Sequence, residues 1–117
     1  MADGLALGAH LRTPRWGFVH HGLYVGNGRV IHYAGFKAWL CRGPVEEVTL
    51  AEFAGGRPVQ VQTRSATRYA GLAAVRHARA RLGEDRYGFL SNNCEHFVEW
   101  CLSGVSRSSQ VEAFFGA

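Results

Sequence analysis

The chain has 117 residues, enough for one modest hydrophobic core, so a single domain spanning residues 1–117 is expected. Its content of 47% apolar and 19% charged residues excludes a disordered protein. No apolar run approaches the roughly 18 residues that a membrane-spanning helix needs, and the first residues lack the pattern of a signal peptide. We therefore expect a cytoplasmic protein without a transmembrane segment. The net charge of +4 does not indicate a nucleic-acid partner, although it leaves peripheral contact with an anionic membrane open.

The first predicted element is a β-hairpin over residues 18–34, in which two β-rich runs flank an Asn-Gly turn. Neighbouring residues of a strand point to opposite faces, so only one of His20 and His21 can share a face with His32. A symmetric two-residue turn would place His21 beside His32. A three-residue loop with a bulge would instead make His20 its diagonal neighbour. Both registers bury acceptable apolar faces, so the pattern leaves this choice open.

Shorter elements are predicted in the middle of the chain. Residues 36–44 are expected to form a loop, and residues 44–48 a strand. Thr49 and Glu52 have the spacing of a capping box, which predicts a short helical turn. Residues 57–63 alternate apolar and polar side chains, as a half-buried strand does.

A longer helix is predicted from Ser65, which can cap its first turn, to about Leu82. We expect its polar side, including His77, to lie mostly in solvent. The arginines assigned to that solvated side are Arg64, Arg68, Arg76, Arg79 and Arg81.

The last helix is predicted over residues 93–103, with Glu95 and Glu99 on its polar side. Its buried stripe follows the spacing of a helix packed on a core: Cys94, Phe97, Val98, Cys101 and Leu102. Because strands come first and helices concentrate later, the predicted fold class is α+β, with an antiparallel sheet packed against helices.

The chain has three cysteines, an odd number that indicates reduced thiols when no export signal is present. Cys94 and Cys101 would lie two helical turns apart, about 10 Å along the axis, which is too far for a disulfide. Cys94 falls in a first helical turn, where backbone N–H groups favour a thiolate and can lower its pKa from about 8.5 towards 7. Its place on the apolar stripe fits a buried core residue equally well, so both interpretations stay open.

A nucleophilic thiol also needs a base, and the sequence has six histidines. His96 is two residues from Cys94, so on a helix it points about 200° away and is expected to cap or to lie at the surface. His77 is assigned to solvent. The predicted hairpin is therefore where the base is expected.

Two motifs make the sequence recognisable. The run HHGLYVGNGRVIHYAG covers residues 20–35, and NNCEHFVEWC covers residues 92–101. Together they resemble the lecithin retinol acyltransferase-like family, which includes short bacterial members. That family groups with NlpC-type peptidases in the papain-like superfamily, in circularly permuted order, and the resemblance implies the same fold here.

The resemblance also implies roles for individual residues. Cys94 would be the nucleophile, His20 the general base, and His32 the residue that orients the base. This assignment selects the bulged register, since only that register puts both histidines on one face. We expect Trp39 and Asn93 to contact substrate, and neither a metal nor a cofactor to be needed. Relatives commonly carry tyrosine at the position of Phe18, so oxyanion stabilisation would depend on backbone N–H groups here.

The implied activity is acyl transfer or acyl hydrolysis through an acyl-enzyme, with a small acyl donor such as a phospholipid or an acyl thioester. The leading alternative is a cysteine peptidase or amidase that uses the same three residues. Cysteine and histidine side chains also bind zinc, so a metal site formed by His20, His32 and Cys94 is a second alternative. A catalytically inactive binding domain is a third.

Overall fold

The computed structural model describes residues 4–15, 17–38, 41–64, 67–87 and 93–106, with backbone alone at 35–38 and 41–42. Its elements in chain order are β1 (His10–Arg15), β2 (Phe18–Gly26), β3 (Arg29–Ala38), β4 (Cys41–Thr49), α1 (Leu50–Ala54), β5 (Gln60–Val61), α2 (Leu72–Ala80) and α3 (Cys94–Ser103). None of the helices in these ranges combines the length and the hydrophobicity needed to cross a membrane.

The strands form one sheet in the order β4-β3-β2-β1-β5, and every pair is antiparallel. The predicted α+β class with an antiparallel sheet and helices is therefore confirmed. The circularly permuted, papain-like character of the fold stays a prediction.

The hairpin of β2 and β3 adopts the bulged register. Leu23 lies opposite Ile31, which makes His20 and His32 diagonal neighbours on one face of the sheet. The turn itself has two residues rather than the expected three. Asn27 and Gly28 both have positive φ angles, 54° and 70°, as the turns that join tightly twisted hairpins require. The bulge lies just before this turn, at Val25.

Strand β2 changes partners along its length. Its ladder with β3 extends from Gly26↔Arg29 to Leu23↔Ile31, whereas its ladder with β1 reaches the beginning of β2. Among the described residues of β2 and β3, pairing ends there, so the two strands separate near His20.

The sheet separates two apolar cores. The larger core lies between the sheet and helices α2 and α3, and includes Leu23, Ile31, Tyr33, Cys94 and Phe97. The smaller core is built around the fully buried Phe53 of α1, with Leu11, Tyr24 and Val30. Gly22 is needed beneath this second core, because a β-carbon there would lie 2.7 Å from both Phe53 and Val30.

Several predicted boundaries were wrong. The loop expected over residues 36–44 is wrong for the described part of that range, because β3 continues to Ala38 and β4 begins at Cys41. The strand expected over 57–63 is reduced to β5, and β1 was not predicted at all. Helix α2 begins seven residues later than expected, and its buried face is formed by Ala74, Val75 and Ala78.

His77 is not fully solvated as expected. Its ring packs against Tyr69 and Trp100, and its Nδ1 lies 3.1 Å from the carbonyl oxygen of Cys101. These contacts connect α2 to α3.

Candidate active site

Two buried histidines form the centre of the candidate site. His20 Nε2 lies 2.7 Å from His32 Nδ1, and the two rings meet edge to face with their centroids 4.9 Å apart. Phe53 packs against both rings. The structure therefore brings together two of the three residues assigned to catalysis.

A carboxylate extends this pair. Glu46 of β4 is directly opposite His32 of β3, and its Oε2 lies 2.9 Å from His32 Nε2. Glu46 was not predicted from the sequence. A correct alignment of β4 against β3 would have placed it there, but the predicted loop over 36–44 hid that pairing.

The position of His20 keeps its imidazole neutral. Burial lowers its pKa well below the usual 6.5, and the neighbouring His32 and Arg15 lower it further. No described residue is hydrogen-bonded to His20 Nδ1, so that nitrogen remains available to exchange a proton.

Cys94 is the first residue of α3, as predicted, and its sulfur lies against the strand that carries His20. The Sγ atom is 3.9 Å from the carbonyl oxygen of Val19. The backbone N–H of His21 also points to the sulfur and lowers its pKa. The sulfur is therefore bracketed by the backbone on either side of His20.

The Cys94 thiol is nevertheless protonated at neutral pH, contrary to the expectation of a lowered pKa. Burial raises its pKa to about 11, and this effect exceeds the opposing effect of the N–H groups of His21, Glu95 and Cys94 itself. Cys94 is only 2% exposed and belongs to the larger core. Cys94 is thus both a buried core residue and a thiol in the first turn of a helix, the two interpretations that the sequence left open.

Asn93 is the N-cap of α3, with its side-chain oxygen accepting hydrogen bonds from the N–H groups of Glu95 and His96. His96 Nδ1 accepts a hydrogen bond from the Asn93 N–H, so its predicted capping role is confirmed. Contact of Asn93 with substrate stays a prediction. Trp39, the other expected substrate contact, lies outside the described residues.

A second buried polar cluster lies on the α3 side of the sheet. His10 Nε2 is 2.7 Å from His21 Nδ1, and Arg64 donates to His10 Nδ1 at 3.1 Å. Arg64 also forms a bidentate ion pair with Glu99, at 2.8 and 3.0 Å. Arg64 and Glu99 were both expected in solvent, and that expectation was wrong.

Glu95 was also misplaced by the helical pattern, since it is buried beside this cluster. In the parts of the chain that the structure describes, no group of three histidine, cysteine or acidic side chains has the geometry to hold a metal ion. The described reactive groups of the candidate site are the thiol of Cys94, the imidazoles of His20 and His32 and the carboxylate of Glu46.

Comparison with known proteins identifies the family. A family model described as lecithin retinol acyltransferase matches residues 4–107. Phospholipase A and acyltransferase 2 of Homo sapiens is 33% identical over 121 residues, which cover 90% of this chain and 75% of that protein. Phospholipase A and acyltransferase 3 of Homo sapiens is 31% identical over 108 residues, with 79% and 67% covered.

Lecithin retinol acyltransferase of Mus musculus is 27% identical over 132 residues, covering 90% of this chain and 57% of the relative. The chain thus spans little more than half the length of that relative. The family model, by contrast, matches nearly all of the chain. The protein belongs to the lecithin retinol acyltransferase family.

Proposed function

We propose that this protein is a thiol-dependent acyltransferase or acyl hydrolase in which Cys94 is the nucleophile and His20 the general base. The observation that supports this most is the position of the Cys94 sulfur, against the backbone on both sides of His20. His32 holds the His20 ring by a buried hydrogen bond. Covalent acyl transfer needs a thiol within reach of an oriented imidazole, and the described contacts put the Cys94 sulfur against the backbone of the two residues that flank His20.

In the first step, Sγ of Cys94 attacks the carbonyl carbon of the acyl donor as His20 Nδ1 takes the thiol proton. The bond between that carbon and the leaving oxygen or sulfur then breaks, and the leaving group receives the proton from His20. A thioester between Cys94 and the acyl group remains. Positioned proton transfer of this kind contributes roughly 10²–10⁴-fold to the rate.

In the second step, His20 takes a proton from an acceptor alcohol, amine or water, which attacks the thioester carbonyl. The bond from that carbon to the Cys94 sulfur breaks, and His20 returns the proton to the sulfur. The acceptor that reaches the site decides between transfer and hydrolysis. The neutral thiol and neutral imidazole favour proton transfer during the attack over a preformed ion pair.

Backbone N–H groups at the start of α3 are the donors available to the oxyanion that develops in both steps. The N–H groups of Cys94 and Glu95 already point toward the sulfur. Phe18, whose ring lies edge to face with His20, has no hydroxyl to contribute.

An open cavity of about 220 Å³ lies beside Val19, the residue whose carbonyl contacts the Cys94 sulfur. Pro14 and Pro58 give it apolar walls, and Arg12 supplies a cation at its side. These features suit a donor with an acyl chain and an anionic group. Because two relatives are named phospholipase A and acyltransferase, we assign a phospholipid as the donor.

The test is intact-mass spectrometry after incubation with separate pools of phospholipid, acyl thioester and peptide. We expect a mass increase of one acyl group with phospholipid, absent in Cys94→Ala and retained in Cys101→Ala. An acyl adduct that persists in Cys94→Ala would refute the assignment of the nucleophile. An adduct or cleavage with the peptide pool alone would identify a peptidase instead.

A further inference from the structure

We propose that Glu46 is a positioning residue that sets the direction of the hydrogen-bond chain running through His32 to His20. The inference rests on the proposed function, because it explains how His20 is kept in the form that accepts a proton. It concerns a residue that neither sequence motif contains.

The carboxylate of Glu46 sets the direction of the chain. An ionised carboxylate only accepts hydrogen bonds, so the 2.9 Å contact with Glu46 requires the proton of a neutral His32 ring to be on Nε2. His32 Nδ1 then carries no proton and can only accept a hydrogen bond through its lone pair. The 2.7 Å contact between the rings therefore requires His20 Nε2 to donate. A neutral His20 that donates from Nε2 has its lone pair on Nδ1.

The reverse direction would disable the site. If His32 carried its proton on Nδ1, it would donate to His20 Nε2, and the His20 proton would move to Nδ1. Nδ1 would then be a donor and could not accept the proton of Cys94. Two neutral imidazoles in contact allow either direction, so a third group is needed to choose between them.

The sheet places Glu46 for this task. Glu46 and His32 are directly opposite each other in the β3–β4 ladder, and the histidine side chain is only 9% exposed. The Glu46 side chain is 27% exposed, and its Oε2 atom reaches the buried ring of His32. In metal sites, a carboxylate that accepts a hydrogen bond from the outer nitrogen of a histidine fixes its tautomer in the same way.

The adjacent residue provides a matched control. Glu47 is next in β4, points to the opposite face, and forms ion pairs with Arg29 and Arg79 at 3.2 and 2.6 Å. Replacing it with glutamine makes the same chemical change one residue away, without altering the contact with His32.

The first measurement is a two-bond proton–nitrogen correlation spectrum of the imidazoles in the wild-type protein at neutral pH. We expect both His20 and His32 to carry their proton on Nε2. A proton on Nδ1 of either ring would overturn the proposal, and this readout requires neither turnover nor a variant.

The second measurement compares Glu46→Gln with Glu47→Gln. A glutamine amide can accept from His32 or donate to it, so E46Q should show a mixture of tautomers in both rings and about a tenfold lower kcat with KM unchanged. E47Q should keep the wild-type spectrum and kcat. An E46Q protein with the wild-type spectrum and kcat would overturn the proposal.

Failure of the proposed function would give a different result. If Cys94→Ala retained full activity, the thiol mechanism would be wrong whatever the tautomers are. If Cys94→Ala were inactive while E46Q matched the wild type, only the role of Glu46 would be wrong.

Discussion

His20 and His21 are consecutive residues of β2, yet each is hydrogen-bonded to a different histidine on a different side of the sheet. His20 pairs with His32 beside Phe53, and His21 pairs with His10 beside α3, each at 2.7 Å. One strand thus supplies a catalytic candidate and a structural residue in successive positions.

Substituting these two histidines should separate activity from stability. His20→Gln can still donate a hydrogen bond to His32 but has no basic nitrogen, so we expect kcat to fall by at least about 10²-fold with little loss of stability. His21→Gln disturbs the pair with His10, and should lose about 1–2 kcal/mol of unfolding free energy while the folded protein stays active. Steady-state kinetics and urea unfolding of both variants measure this. Equal losses of kcat would contradict the division of roles.

The two buried cysteines of α3 provide a second contrast. Cys94 and Cys101 are both free thiols in the larger core. Cys94→Ala should abolish acyl transfer, whereas Cys101→Ala should lose about 1 kcal/mol of stability and keep its activity. Activity assays corrected for the folded fraction separate the two effects. Loss of activity in Cys101→Ala alone would require a different nucleophile.

The pair of His10 and His21 should make the fold sensitive to acid. Burial lowers the pKa of His10 from 6.5 to about 3, with contributions from the neighbouring His21 and Arg64. Burial also lowers the pKa of His21. The folded state therefore binds protons less readily than the unfolded state, and stability falls as the pH drops below 6.5. For His10 alone the loss is about 3 kcal/mol by pH 4.

Urea unfolding between about pH 7 and pH 4 measures this loss. The matched variant is His10→Gln, which cannot be protonated in this range and should therefore lose less stability with acid than the wild type. Parallel pH dependences in the two proteins would show that His10 does not carry the effect.

The ion pair of Arg64 and Glu99 should be important for stability because both side chains are mostly buried, at 16% and 13% exposed. Arg64→Met leaves Glu99 as an uncompensated charge, and should lower the unfolding free energy by about 3–5 kcal/mol. The double variant Arg64→Met with Glu99→Leu should recover a large part of that loss. A double-mutant cycle in urea tests both statements, and independent, additive losses would contradict them.

The elements that were predicted correctly are those that short sequence patterns determine. The Asn27-Gly28 turn, the capping box of Thr49 and Glu52, and the apolar stripe of α3 each depend on residues close together in the chain. The same signals placed Cys94 at a helix start and left two registers open for the hairpin. The resemblance to the acyltransferase family, rather than periodicity, chose between those registers.

Features that depend on distant partners could not be predicted in this way. Arg64 and Glu99 are 35 residues apart in the chain, and each lies on a side that its local pattern assigns to solvent. Strand β1 lacks clear apolar alternation and contains Pro14, which argues against a strand. The role of Glu46 required the exact pairing of β4 with β3, which only the folded sheet supplies.

A buried, protonated thiol resists chemical damage. Peroxides and alkylating reagents react with thiolates that solvent can reach, whereas the Cys94 thiol in the resting protein is protonated and only 2% exposed. We therefore expect the protein to survive oxidising conditions that inactivate enzymes with exposed, ionised cysteines. The proposed nucleophile would become reactive only toward a carbonyl group held next to the imidazole, so chemical durability and substrate selectivity would have the same structural origin.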